Sequence, residues 1–310
     1  MTLTRRGYAT VAVVVVGVWA GVTAGPRTLN AVVMPALVLT GYSWLSVRRR
    51  APPTVTRSQP SPGFPGESRE IELRAESGGP TTITDSVGER LRQYEVSSDG
   101  YRVELTERGI GRLGPATTTE TDVFGLVSRT DERSGETELL VYPTVEPLAP
   151  SRRFEGLVEE AGSPERDAFT SLREYVPGDP LRNVHWPSSA KREPGELVVT
   201  QYAAPDEGGI TVVATSDDGC ADAMATAAAS VVVHLLDRGL SVGVIAPNGR
   251  VPERRGPTAR TEALELLART GAGRPPDEAD IRIDASETET TVGIDDESFA
   301  FDELTAEGRS

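Results

Sequence analysis

The densest set of chemically capable side chains lies between Phe169 and Tyr202, where Arg173, Tyr175, Asp179, Arg182, His185, Trp186 and Ser189 crowd around a Pro177-Gly178 turn. Ser189 or Ser188 with His185 and Asp179 supplies the parts of a nucleophilic hydrolase, in which an imidazole takes the serine proton and a carboxylate orients the ring. Neither serine sits in a G-x-S-x-G elbow, and nearness in sequence is not convergence in space. The same side chains suit a clasp or docking surface better. Asp179 and Arg182 can pair locally, Arg173 can reach a further carboxylate, and Tyr175 and Trp186 can bury rings while keeping a polar tip satisfied.

A second group follows an apolar strand: Ser216, Asp217 and Asp218, then Cys220 and, inside the next helical stretch, His234. Cys220 and His234 are the two parts of a thiolate nucleophile, yet an apolar-flanked cysteine and a mid-helix histidine are more often core residues. Cys220 is the only cysteine, so no intrachain disulfide forms, and with only His185 and His234 a Cys/His zinc site has too few ligands. Lys191 is the only lysine and follows Ala190, which removes a phosphate-binding loop of the G-x-x-x-x-G-K-[ST] type.

These residues need elements to hold them. From Glu67 to Pro143 the pattern is short, period-2 and rich in Thr and Val; Arg69 to Ala75, Arg90 to Val96, Tyr101 to Leu105 and Glu138 to Tyr142 read as strands of a small antiparallel β-sandwich. Within it, Asp122-Val123-Phe124-Gly125-Leu126 reads as turn and core. Further on, Gly209 to Thr215 is a buried-type strand, Ala221 to Arg238 a helix stopped by Gly239, Leu240 to Ala246 a strand and Thr258 to Thr270 a second helix. That alternation implies a parallel sheet with right-handed crossovers, whose ligands sit at the carboxyl ends of the strands. Ile281 to Ile283 and Thr291 to Ile294 read as short strands, and Glu303 to Ser310 as a loose tail.

The chain opens with two apolar runs, Tyr8 to Ala24 and Leu29 to Val47, each long enough to cross a bilayer as a helix. Arg5 and Arg6 precede the first and Arg48, Arg49 and Arg50 follow the second, while only Arg27 sits between, which predicts a hairpin with both ends cytoplasmic. A cleaved signal peptide ending at Val22-Thr23-Ala24 competes, but leaves the second run and its three arginines without a role. Ala51 to Pro65, with five prolines, reads as a stiffened tether.

Charge divides along the same line. The 310 residues hold 32 basic and 47 acidic side chains, a net charge of −15. No acid precedes Glu67, and seven arginines do, so the remainder sets 25 basic against 47 acidic residues. An acidic body argues against general nucleic-acid binding. Its arginine-served, lysine-poor surface resembles proteins of salt-loving prokaryotes, although a GC-rich genome accounts for the arginine bias almost as well.

Leu172-Arg173-x-Tyr175-x-Pro177-Gly178-Asp179, then Arg182, His185-Trp186, Ser189-Ala190 and Glu196-Leu197-x-Val199, closely resemble the signature of the membrane-associated domain-of-unknown-function-58 family. Arg108-Gly109-x-Gly111-x-x-x-Gly114-Pro115 and Asp122-x-Phe124-Gly125-Leu126 resemble that family's β-region. The resemblance implies a two-helix membrane anchor, a β-module, a von Willebrand factor type A-like domain and a partner of the MoxR-type AAA+ ATPase class. It brings no established reaction. A metal-binding type A domain uses D-x-S-x-S after its first strand, whereas this chain has Ala214-x-Ser216-x-Asp218, so a hard cation such as Mg²⁺ loses its leading anionic ligand. Asp217 and Asp218 are partial substitutes, and the short chain beyond the second helix weakens the site further.

The resulting expectation is a hairpin over 1–50, a tether over 51–66, a β-rich module over 67–150, the motif and connecting segment over 151–205, and a degenerate type A-like α/β domain with an acidic tail over 206–310. Its function is that of a non-catalytic protein-interaction or assembly factor on the cell membrane, with the soluble parts in the cytoplasm and no cofactor. The alternatives are a Mg²⁺-dependent ligand-binding domain through Ser216 and Asp218, or a hydrolase through Ser189, His185 and Asp179.

Overall fold

The computed structural model describes residues 1–24, 30–97, 99–133, 135–149, 152–161, 171–174, 198–201, 209–276 and 278–305. They form two compact units, Met1–Val141 and Tyr142–Ser310.

The first unit begins with strand β1 (Thr2–Leu3) and helices α1 (Arg5–Ala24) and α2 (Asn30–Arg49). Each helix carries a 19-residue span, about 28 Å of helix, apolar enough to cross a membrane. Only 6% and 17% of the two spans are buried. Val16, Trp19, Val22, Met34, Val38 and Tyr42 all stand exposed, which no core helix of a water-soluble protein would allow.

Seven further strands follow: β2 (Thr54–Arg57), β3 (Ser68–Glu76), β4 (Thr81–Val87), β5 (Leu91–Tyr94), β6 (Gly100–Leu105), β7 (Gly109–Thr121) and β8 (Val127–Arg133); β9 (Thr137–Val141) closes the unit. They make two antiparallel sheets, one in the order β2-β3-β6-β5 and one in the order β1-β8-β7-β4, with β9 also on β7. Alternate residues from both, among them Ile71, Leu73, Tyr101, Val103 and Leu105 from one and Leu113, Leu139 and Val141 from the other, share one apolar core.

Two of these strands depart from the expectations. The tether contains β2, which pairs with the far half of β3 in the register Thr54↔Glu76 to Arg57↔Leu73. Its prolines flank that segment rather than interrupt it, so every backbone N–H within it remains available to an edge ladder. The glycines at 109, 111 and 114, a residue type that usually interrupts strands, lie inside the 13-residue β7, which the period-2 pattern does not mark. Gly111 is required there by close approach, since a Cβ would sit 2.7 Å from the Leu91 side chain.

Arg57 explains why β2 joins the sheet. Its guanidinium donates to both Asp85 carboxylate oxygens, at 2.9 and 2.7 Å, and to Gly135 O and Thr137 Oγ1, at 2.7 and 3.0 Å. The Tyr101 hydroxyl donates to the same carboxylate at 2.6 Å. One bidentate ion pair, almost fully buried, thus joins β2, β4, β6 and β9 across both sheets.

The second unit contains α3 (Arg152–Ala161), the ribbon β10 (Ser171–Glu174) with β11 (Val198–Gln201), and then β12 (Gly209–Ser216), α4 (Ala221–Asp237), β13 (Ser241–Ala246), β14 (Gly249–Arg254), α5 (Gly256–Arg269), β15 (Ile281–Ala285), β16 (Thr290–Ile294), β17 (Glu297–Ala300) and the single turn α6 (Phe301–Leu304). The main sheet runs β14-β13-β12-β15-β16-β17. β13 and β15 lie parallel to β12, as the alternation of strand and helix predicts, while β14, β16 and β17 add antiparallel edges, so the sheet as a whole is mixed. The short connections explain the difference: β13–β14, β15–β16 and β16–β17 join through turns of two to four residues, which suit hairpins and are too short for helical crossovers.

α4 packs against β12, β13, β15 and β16, with α5 beside it over β13 and β14. Its alanines let α4 approach closely, and Met224, Ala228, Val231, Val232 and Leu235 are buried. Phe154 of α3 is fully buried, edge-on to Phe299 of β17 at 5.5 Å. The tail expected from Glu303 is anchored at its start: Leu304 and Thr305 are buried, and Ala149 N donates to Leu304 O.

Candidate functional site

Two places combine polar chemistry with a defined frame. The first is the carboxyl end of β12, where the parallel strands of an α/β sheet present ligands. Ser216 is paired through its backbone to Gly273, its N–H to Gly273 O at 2.9 Å and its O accepting from Gly273 N–H at 3.2 Å, which brings the segment after α5 across the strand end. Arg274 then reaches over the edge. Its guanidinium donates to Asp217 Oδ1 at 2.9 Å and to Asp284 Oδ1 at 3.4 Å. Asp284, at the end of β15, also accepts from the Thr215 hydroxyl, which bonds Ile283 O at 2.9 Å as well.

These residues do not fit a hard cation as they stand. Ala214 occupies the position where the first carboxylate would be required, and it is fully buried. A guanidinium already bridges Asp217 and Asp284, and Asp218 is exposed with no hydrogen bond among the described residues. The Ser216 hydroxyl is buried and has no hydrogen-bond partner among the described residues. No group of three or more acidic, histidine or cysteine side chains suited to a metal occurs among them. Arg274 and Asp284 were missed in the sequence because they lie 58 and 68 residues beyond Ser216, joined to it only by the strand order β12-β15 and the turn at Gly273.

Cys220 and His234 do not meet. Cys220 caps the start of α4 and His234 lies fourteen residues later on the same helix, about 21 Å along its axis. His234 instead faces Phe154, ring centroids 6.4 Å apart, with Glu155 3.4 Å and Arg238 close by. Burial first, then the Arg238 charge, push the imidazole down to about 4. The Asp237 carboxylate acts in the opposite direction without offsetting them, and Glu155 is held by Arg238 at 2.5 Å.

Of the central motif, Arg173 lies on β10, opposite Val199 of β11. The backbone pairing Leu172↔Thr200 and Arg173↔Val199 draws the two ends of the motif together. Tyr175, Pro177, Gly178, Asp179, Arg182, His185, Trp186, Ser188 and Ser189 lie outside the described residues.

The second place is the seam between the helices and the sheets of the first unit. Asp122, at the end of β7, is buried and gathers four donors: the amides of Phe124, Leu126 and Val127 at 2.9, 2.6 and 2.7 Å, and the Ser43 hydroxyl of α2 at 2.7 Å. Burial would raise this carboxyl, but the Val127 amide, the Ser43 hydroxyl and the other two amides hold it below the ordinary carboxylate range. One turn further on, Arg129 of β8 reaches the carbonyls of Val47 and Arg50 at 3.4 and 3.3 Å and the Glu120 carboxylate at 2.9 Å. A guanidinium over the last carbonyls of α2 satisfies acceptors that the helix leaves open and complements its dipole. The Asp122 to Leu126 segment is a turn with a core residue, as its sequence predicts, and it also faces a helix. Leu126 is core, packed with Val47, Val127 and Leu3, whereas Val123 and Phe124 are exposed.

Comparison with known proteins adds little to this geometry. No protein-family model matches the chain, and no curated protein does. Among solved structures, the titin M3 domain is 18% identical over 30% of this chain and 96% of its own, with a TM-score of 0.17, too low to bear on the fold.

Proposed function

We propose that this chain is a membrane-anchored, non-catalytic interaction or assembly factor of the domain-of-unknown-function-58 type, working with a MoxR-type AAA+ ATPase on the cytoplasmic face of the cell membrane. The observation that carries the reading is the seam at Asp122 and Arg129. It fastens the membrane-length helix α2 to the β7–β8 sheet through directional contacts, buried at Asp122 and part-buried at Arg129, as a platform that holds something at the bilayer requires. In the second unit, Arg274 occupies Asp217 and Asp284 at the end of β12, which suits a degenerate type A-like domain used for protein contact better than a Mg²⁺-dependent one. The β10–β11 ribbon pairs the two ends of the motif, Leu172 with Thr200 and Arg173 with Val199, which supports a docking role for the motif.

The test is recovery of the intact chain from its native membranes, in detergent and concentrated salt, with identification of what stays bound. An AAA+ ATPase in near-equal amount is expected. Its absence from repeated preparations, or its equal recovery with an unrelated membrane bait, contradicts the proposal.

A further inference from the structure

The β7–β8 turn is built unlike a solvent loop. Its frame is rigid: the Asp122 carboxylate holds three amides of the turn and the Ser43 hydroxyl, Gly125 N–H donates to Asp122 O at 3.0 Å, and Gly125 adopts φ +70°, open to glycine at no steric cost. Thr4 N–H donates to Leu126 O at 3.0 Å, so the turn is also tied to the start of α1. Yet the two residues at its tip are apolar and bare, Val123 70% and Phe124 45% exposed.

Their position relative to the helices is specific. The Phe124 ring meets Tyr42 of α2 edge-on, centroids 6.3 Å apart. Tyr42 precedes Arg49 by seven residues, so the contact lies about 10 Å along the helix from the terminal arginines, toward the apolar span. Tyr42, Trp44 and Tyr8 are exposed there, with Arg48 stacked 4.9 Å from the Trp44 ring, the arrangement of aromatic rings and snorkelling cations that marks a headgroup boundary. Phe124 joins that belt through Tyr42, and the exposed Val123 is its neighbour in the turn.

We infer that the β7–β8 turn is a third membrane contact, in which Val123 and Phe124 immerse in the headgroup–acyl boundary of the bilayer that α1 and α2 cross. The inference rests on the reading of those helices as spanning. It identifies the occupant of the apolar tip as lipid, and it gives the sheets a fixed height above the membrane, which a flexible linker would not.

The experiment uses the full chain with Cys220→Ser, which leaves no native cysteine, reconstituted in vesicles of phosphatidylcholine and phosphatidylglycerol. Single cysteines replace Phe124, Val16 in the middle of α1, and Glu107, which precedes β7 and so lies about 40 Å away at the other end of that strand. Each carries an environment-sensitive fluorophore and is challenged with lipids spin-labelled at shallow or deep positions. The expected result is strong quenching of Phe124→Cys by shallow label, of Val16→Cys by deep label, and none of Glu107→Cys. Phe124→Cys behaving like Glu107→Cys while Val16→Cys is quenched overturns the inference and leaves the anchor intact. Val16→Cys in water overturns the anchor reading and the inference with it. Val123→Cys repeats the measurement at the neighbouring tip residue, and quenching there by deep label alone also overturns the stated depth.

Discussion

Ser43 of α2 donates a 2.7 Å hydrogen bond to the carboxylate of Asp122, 79 residues away at the end of β7, and both side chains are buried. A membrane-length helix and a sheet are thus fastened through a charged group that also organises its own turn. Asp122→Asn keeps the shape but leaves one carbonyl oxygen to serve four donors. It should cost about 2–3 kcal/mol, and Ser43→Ala about 1 kcal/mol, read as earlier thermal unfolding of the β-module by near-UV circular dichroism in detergent. Because the folded carboxyl is held low, its contribution is present above the unfolded value near 4 and is lost as pH falls through the lower folded value. Asp122→Asn should flatten that acid limb, and an unchanged limb would count against Asp122 as its source.

Arg57→Ala strands the Asp85 carboxylate inside the sheets and should cost about 3–5 kcal/mol. Arg57→Lys loses the two-pronged geometry and should fall between. Tyr101→Phe removes a single donor at about 1–2 kcal/mol. The phenol itself stays protonated, since burial and then Asp85 raise it. Equal stability of Arg57→Ala and Arg57→Lys in urea titrations would argue that β2 is held by its backbone ladder alone.

His234 supplies a pH dependence to the second unit. Its folded value is depressed to about 4, so the unfolded chain binds the extra proton between roughly pH 6.5 and 4. The neutral ring's contribution is complete above pH 6.5 and disappears on acidification through that window, about 2–4 kcal/mol in all. Midpoints of unfolding measured across it should slope for the wild type and become level for His234→Phe. A wild-type stability that rises on acidification would mean that the Glu155 contact dominates instead.

Arg274 bridging Asp217 and Asp284 predicts that added Mg²⁺ neither binds by calorimetry nor raises the melting temperature of the wild-type chain. Measurable heat at millimolar ion, abolished by Asp284→Asn, would restore the metal-dependent reading.

Much of this architecture was legible because it repeats. The apolar runs, the period-2 strands around Ile71 and Val103, and the α4 stripe through Met224, Val231 and Leu235 each signal their element locally. What escaped depends on contacts far apart in the chain. β2 hides in a proline-rich stretch because its reason for pairing, Asp85, lies 28 residues on. β7 is not marked by the period-2 pattern because its glycine at 111 is set by a neighbouring strand rather than by a turn. At the end of β12, the missing first carboxylate was visible at Ala214, but the guanidinium that pairs with Asp217 and Asp284 arrives from beyond α5 and has no local signal. Asp122 does carry one, an aspartate opening a glycine turn, but only the position of Ser43 shows that the turn faces a helix.

The central claim, that this is an interaction platform whose motif recruits an AAA+ ATPase to the membrane, is tested most directly by comparing partner recovery for the wild type, Arg173→Ala, Asp179→Ala and Trp186→Ala, purified side by side from native membranes in concentrated salt. The account predicts an ATPase with the wild type and recovery reduced several-fold with each variant at equal bait. No ATPase with the wild type, or undiminished recovery with all three variants, would contradict it.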